Sequence, residues 1–262
     1  MIEFLSLISG SSGNSTFISD GSTNLLIDCG MSGKKLAESL ASIGFTPDSL
    51  DAILITHEHI DHVRGVGIVA RRHKIPIYTT AGTHAAMEIG NVDDTLRHIV
   101  CADQDFSIGS IGIRPFMIPH DAAEPVGYSF FCGNQKFSLA TDIGAMNDTI
   151  LNAIKGSESV LLESNHDIDM LRFGGYPFPL KQRILGKFGH LSNESAAAAA
   201  LELVKSGTKK LMLGHLSLEN NRPEIAMLET YNTLIGAGVE VGSDVTLTVA
   251  DRYHVTRFGE RS

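Results

Sequence analysis

The chain has 262 residues, 43% of them apolar, and a formal net charge of −9. That length and apolar share suffice for one large domain with a substantial core, and the acidic balance excludes broad nonspecific binding to nucleic acid, which depends on neutralising phosphates. Three widely spaced cysteines, Cys29, Cys101 and Cys132, with no C-x-x-C pair, argue against a disulfide framework and point to a reducing, cytoplasmic setting.

The apolar opening, Met1 to Ile8, lacks a basic leader and is far too short to span a bilayer, so it reads as a first strand over 2–8 and no membrane is expected as partner. Strands are expected next over 15–20 and 23–28, then a helix over 32–43. The strand 51–55 runs into Thr56-His57-Glu58-His59-Ile60-Asp61-His62, three imidazoles and a carboxylate at one point. In extended chain His57 and His59 point the same way, because side chains alternate. A turn into a helix then lets Asp61 and His62 face a neighbouring position. That arrangement suits two adjacent divalent cations better than one, and imidazole with carboxylate suits zinc, manganese or iron.

A helix is expected over 63–74, a strand over 75–78 and a helix over 82–89. The middle is strand-rich, near 105–118, 127–132 and 135–140, with Gly133-Asn134 as a hairpin turn. Helices over 147–155 and 166–173 flank a strand over 159–163. Asn193 opens an alanine-rich helix to Lys205, closed by Gly207. Strand 210–213 leads to His215, and a helix over 222–236 and a final strand pair, 244–250 and 253–257, complete the chain. No composition break or long linker appears, so a single domain over 1–262 is expected. Its class is α/β, two sheets flanked by helices rather than one doubly wound parallel sheet.

Beyond the first cluster, four apolar strands end in a chemically useful residue: His120-Asp121, Asp142, Glu163 and His215. Side chains at strand ends can meet although distant in sequence. Between Asp169 and His190 lie Arg172, Lys181, Arg183 and Lys187, with Asp169 the only acid, which favours a polyanionic substrate against the overall charge.

This order of residues resembles the metallo-β-lactamase superfamily, whose motifs are an early aspartate, H-x-H-x-D-H, a histidine, an aspartate and a last histidine. Asp28, then His57, His59, Asp61 and His62, then His120, Asp142 and His215 match them in turn. The resemblance implies an αββα four-layer sandwich of two mixed sheets flanked by helices and a site for two divalent metal ions, zinc above manganese or iron. One ion would take His57, His59, His120 and Asp142; the other Asp61, His62, Asp142 and His215. Asp28 would orient the ligand loop. The aspartate in the fourth motif, where antibiotic-degrading members carry cysteine, argues against β-lactam hydrolysis.

The segments 9–15, Glu163 to Asp167 and Gly189 to Asn193 look like those of the YycJ/WalJ group, related to ribonuclease Z and ribonuclease J. This implies a phosphodiesterase or nuclease, with 5′-to-3′ DNA exonuclease activity as the leading expectation and RNA as an alternative substrate. A hydroxide bridging two ions about 3.5–4 Å apart would attack phosphorus. Asp61, Glu163 and His190 are the candidate catalytic residues, His190 protonating the departing oxygen with Glu163 behind it. Ser12, Asn14, Asn165, Ser192, Asn193, Lys181 and Arg183 are the candidate substrate contacts. Two other functions are weighed: hydrolysis of a small thioester, ester or lactone, as in glyoxalase II relatives, and a regulatory module whose metals only hold the fold.

Overall fold

The computed structural model describes residues 2–259. Among them the strands are β1 (Glu3–Ile8), β2 (Ser15–Ser19), β3 (Asn24–Ile27), β4 (Ala52–Leu54), β5 (Ile77–Thr79), β6 (Arg97–Ile99), β7 (Phe106–Ile108), β8 (Ile111–Met117), β9 (Val126–Cys132), β10 (Gln135–Ala140), β11 (Ser159–Glu163), β12 (Lys210–Gly214), β13 (Thr246–Val249) and β14 (Thr256–Arg257). They form two seven-stranded mixed sheets, ordered β14-β1-β2-β3-β4-β5-β6 and β13-β12-β11-β10-β9-β8-β7. The helices are α1 (Gly33–Ser42), α2 (Ile60–Val63), α3 (Val66–His73), α4 (Ala81–Ala86), α5 (Asp148–Ile154), α6 (Ile168–Phe173), α7 (Phe178–Leu185), α8 (Asn193–Lys205) and α9 (Pro223–Gly236). Two mixed sheets with flanking helices are the class the sequence leads one to expect. No helix among the described residues is long and apolar enough to cross a membrane.

The chain divides into two compact units. The first holds the residues up to Met117 with Ala122–Asn134 and Asp251–Arg257; the second is built mainly from Ile118–Asp121 and Gln135–Ala250. In the first, β3, β4 and β5 run parallel, and Leu25, Leu26, Ile27, Ala52, Ile53 and Leu54 are fully buried. Such unbroken apolar runs mark strands covered on both faces. The pairing Ile27↔Leu54 brings the carboxyl ends of β3 and β4 level, so that Asp28 and Thr56 emerge side by side. Helix α1 packs Leu36 and Leu40, one turn apart, into the same core as Leu26 and Ile53. Each leucine buried this way contributes about 1.5–3 kcal/mol, and the Ser32 hydroxyl caps the helix by accepting from the Lys35 N–H at 3.3 Å.

In the second unit β10, β11, β12 and β13 run parallel. The pairings Ala140↔Leu162 and Glu163↔Gly214 level their carboxyl ends, delivering Asp142, Glu163 and His215 from three adjacent strands. Helix α8 buries Ala196, Ala197, Ala199, Ala200 and Leu203 against β11 and α9; small side chains allow that close approach.

Three local expectations change and one helix is added. The helix over 63–74 is interrupted at Arg64-Gly65, because the Gly65 N–H leaves the helical ladder to donate to the Cys29 carbonyl at 2.8 Å, an approach that leaves no room for a Cβ. The helix placed at 166–173 starts at Ile168, since Asp167 caps it by accepting from the Met170 N–H at 2.8 Å. Helix α7 is not among the expected elements: none of its residues is buried, so its apolar residues mark no core face. The final strands do not pair with each other: β13 joins β12 and β14 joins β1.

Candidate metal centre

In the first unit the ligand loop hangs on Asp28. This buried carboxylate accepts from the Thr56 N–H at 2.8 Å, from the Thr56 hydroxyl at 2.8 Å and from His62 Nδ1 at 2.8 Å. Donor and acceptor capacities then fix the tautomers. With Nδ1 of His62 donating, its Nε2 presents a lone pair. The Thr56 hydroxyl has spent its proton on Asp28, so it accepts from His57 Nδ1 at 3.0 Å and His57 Nε2 likewise presents a lone pair. That atom lies 3.1 Å from His59 Nδ1. Asp61, partly exposed, stands with its Oδ2 3.5 Å from His62 Nε2. Carboxylate-backed imidazoles of this kind are the usual means of orienting metal ligands.

The loop is clamped from below. A Cβ on Gly30 would meet the Asp61 carbonyl oxygen at 1.7 Å and the Asn14 nitrogen at 2.6 Å, so only glycine fits there. Asn14 itself is buried, donates from its backbone N–H to the Asp61 carbonyl at 2.8 Å and holds Gly10 through its side chain. Its amide also reaches His62 Nε2 at 3.1 Å and Asp61 Oδ2 at 3.3 Å. Ser12 sits exposed on the same turn.

In the second unit Glu163 is the anchor. It is fully buried; its Oε2 accepts from the N–H groups of Ile143 (2.7 Å) and Leu191 (3.0 Å). Its Oε1 takes Nδ1 of both His190 (2.8 Å) and His215 (2.9 Å). Burial alone would raise this carboxyl; the charge of His190 and the bonds from both imidazoles outweigh it and hold the group well below the usual carboxylate range. His120 donates Nδ1–H to the Gly189 carbonyl at 3.1 Å, and burial lowers its pKa, keeping it a neutral imidazole. Asp142, nearly fully buried, has its Oδ1 3.4 Å from His215 Nε2 and 3.7 Å from His120 Nε2.

These separations decide what the groups fit. Two donors each about 2.1 Å from one tetrahedral ion stand about 3.4 Å apart, longer than a good hydrogen bond. The pairs His57–His59, His120–Asp142 and His215–Asp142 bracket that spacing at 3.1, 3.7 and 3.4 Å. Asp142, Glu163, His190 and His215 each offer a ligand atom, all within 4.8 Å of one another. The donor set is nitrogen and oxygen only: the buried thiols of Cys29 and Cys132, pushed up by burial to about 12 and about 11, are inert packing groups. The residues therefore fit divalent zinc, manganese or iron.

Three motif residues, Asp28, Asp142 and His215, share a left-handed backbone, with φ of 59°, 60° and 56°. Outside glycine this conformation costs about 1–2 kcal/mol, and aspartate and histidine are among the residues that tolerate it. Each comes after a parallel strand and turns its side chain out of the strand direction; no sequence pattern marks it.

The remaining candidate residues take varied places. Asn165 is buried and donates to the His215 carbonyl at 2.9 Å. Ser192 caps α8, its hydroxyl accepting from the Ser195 N–H at 3.2 Å. Asn193 forms a head-to-tail amide pair with Asn221 (3.0 and 2.9 Å) and accepts from the Ser164 hydroxyl at 2.6 Å, so it ties the interior together. Lys181 caps the end of α6, its ammonium on the carbonyls of Arg172 and Gly174. Arg183 pairs with Asp121, beside His120. Thr56, Asn221 and the Gly189 carbonyl are missed by reading residue types along the chain, because their work is done through partners remote in sequence or through backbone.

Comparison with known proteins agrees with the geometry. Residues 8–215 match the metallo-beta-lactamase superfamily. The exodeoxyribonuclease WalJ of Streptococcus pneumoniae is 43% identical over 242 residues, 91% of this chain and 90% of that protein. The exodeoxyribonuclease YycJ of Bacillus anthracis is 39% identical over 243 residues, 92% of each. The crystal structure of the metallo-beta-lactamase fold protein YhfI from Bacillus subtilis superposes with a TM-score of 0.72 over 98% of this chain and 99% of that one, at 16% identity, which speaks to the fold alone. The chain belongs to the metallo-β-lactamase superfamily and is a metal-dependent hydrolase.

Proposed function

We propose that the protein is an exonuclease that hydrolyses the phosphodiester bonds of DNA. The Glu163–His190 pair carries this reading. His190, partly exposed, is anchored through Nδ1 on a carboxylate with no exposure, and lies 3.7 Å from Asp142. Imidazole held this way can hand a proton to an alkoxide leaving group, the group that phosphodiester cleavage must protonate. The names of the two relatives that match nine-tenths of the chain support the same substrate class.

Two divalent ions, zinc before manganese or iron, are proposed as the cofactors. His57, His59, His120 and Asp142 would hold one; Asp61, His62, Asp142 and His215 the other. Bound there, they supply an activated water and neutralise charge on the phosphate. The chain's own groups do the rest. Asp28 and Glu163 fix the imidazoles; Glu163 also keeps His190 oriented; His190 donates the proton. Of the substrate contacts, Ser12, Asn14, Asn165, Ser192 and Arg183 are retained, while Asn193 and Lys181 are assigned to the scaffold. Cys29, Cys101 and Cys132 are all free thiols, which supports a reducing, cytoplasmic setting.

The test is His190→Ala on a labelled DNA oligonucleotide. Turnover should fall about 10²- to 10⁴-fold with metal content unchanged. Loss of metal would make His190 a ligand, and full activity would remove it from the chemistry.

A further inference from the structure

Every exposed phenylalanine among the described residues lies between 173 and 188: Phe173 (86% exposed), Phe178 (69%) and Phe188 (60%). Residues 169–188 also carry Arg172, Lys181, Arg183 and Lys187 against the single acid Asp169, in a chain of net charge −9; of the four, Lys181 is engaged by the carbonyls at the end of α6 and Arg183 by Asp121. Large apolar rings left in water cost free energy, and concentrating them beside cations is the composition of a surface that stacks bases and tracks a phosphate backbone.

Of the three, Phe188 stands closest to His190 in the chain. It lies two residues before His190, and its carbonyl accepts from the Asp121 N–H at 3.1 Å, next to His120. The backbone around it is pinned from the other side too. A Cβ on Gly144 would meet the Lys187 carbonyl oxygen at 2.3 Å and the Gly189 nitrogen at 2.6 Å. The next carbonyl, of Gly189, is taken by His120 Nδ1. The main chain carrying Phe188 is thus held in place while the ring stays open to solvent. A rigidly based, exposed ring is suited to a flat, transient partner.

We propose that Phe188 is a stacking platform for an unpaired base, so that the strand presented to the site is single-stranded DNA. This rests on the nuclease reading above. A two-fold contact between copies would set this cationic stretch against itself, so like-charge repulsion favours a nucleic acid over a second copy as the occupant. Bases inside a duplex already stack on each other, so the platform favours frayed or unpaired ends.

The probe is a fluorescein-labelled phosphorothioate dT12, read by anisotropy with the metal-loaded protein. Phe188→Leu keeps apolar bulk and loses the aromatic face; Phe188→Tyr keeps both ring and exposure. Stacking predicts binding roughly 5- to 150-fold weaker in F188L and near wild-type in F188Y. Equal binding by F188L and wild type, or equal loss in both variants, overturns the proposal. So does a molar mass that falls in F188L, which would make the face a contact between copies. If F188L melts early, photocrosslinking of a 5-iodouracil strand to the wild-type protein reads the same contact; adducts only outside 173–188 refute it. Cleavage of unmodified DNA is scored separately: wild-type cleavage with unaltered F188L binding sinks the platform alone, and absent cleavage with a retained F188L defect sinks the nuclease reading alone.

Discussion

Replacing Glu163 by glutamine removes one charge and leaves the shape, yet the hydrogen bonds around it cannot all survive. The carboxylate faces four donors: two imidazole Nδ1 atoms on Oε1 and two backbone N–H groups on Oε2. An amide cannot accept on both sides. If its NH2 faces Ile143 and Leu191, two buried N–H groups lose their acceptor, at about 1–3 kcal/mol each, or about 2–6 kcal/mol of stability. If its NH2 faces the histidines, both must present lone pairs at Nδ1 and carry their protons on Nε2. His215 then carries a proton on Nε2 where a metal ion needs a lone pair, and metal affinity should fall about 10- to 100-fold. Urea unfolding of metal-stripped protein measures the first outcome, and competition with a chromophoric chelator the second. A Glu163→Gln protein that matches wild type in both would refute the assignment of Glu163 as the anchor of two imidazoles.

Three further outcomes are expected. Asp28→Ala removes the acceptor for Thr56 and His62 at once and should cost about 3–5 kcal/mol, seen as an earlier urea midpoint. Gly30→Ala drives a Cβ into the Asp61 carbonyl; the loop must shift, and the variant should lose both stability and metal, measured by thermal melting and elemental analysis. His166, buried with neither ring nitrogen bonded, has its pKa lowered by burial from 6.5 to about 4. Between those values the unfolded chain binds a proton that the folded protein refuses, so stability falls as pH drops through that window, by about 3 kcal/mol in all. Denaturation midpoints at pH 7 and pH 4.5 check this, since His166→Leu should lose that part of the slope.

The ligand cluster is legible in the sequence because His57, His59, Asp61 and His62 are contiguous and come directly after an apolar strand. Asp142, Glu163 and His215 are legible only as strand ends; their convergence depends on the register of three parallel strands that no local pattern records. Helix α7 is silent because none of its residues is buried, so its apolar residues mark no core face. The separation of β13 and β14 into different sheets is likewise set by partners far away in the chain. Asn193 and Lys181 look like open polar groups until Asn221 and the end of α6 are placed beside them. The strained backbone at Asp28, Asp142 and His215 leaves no mark either, since aspartate and histidine occur everywhere.

The most direct measurement is metal titration of stripped protein while monitoring digestion of an end-labelled single-stranded DNA. A two-metal exonuclease should show no digestion without metal, recovery complete at two divalent ions per chain, and products shortening from an end. Digestion that persists without metal, or full metal loading with DNA left intact, would contradict it.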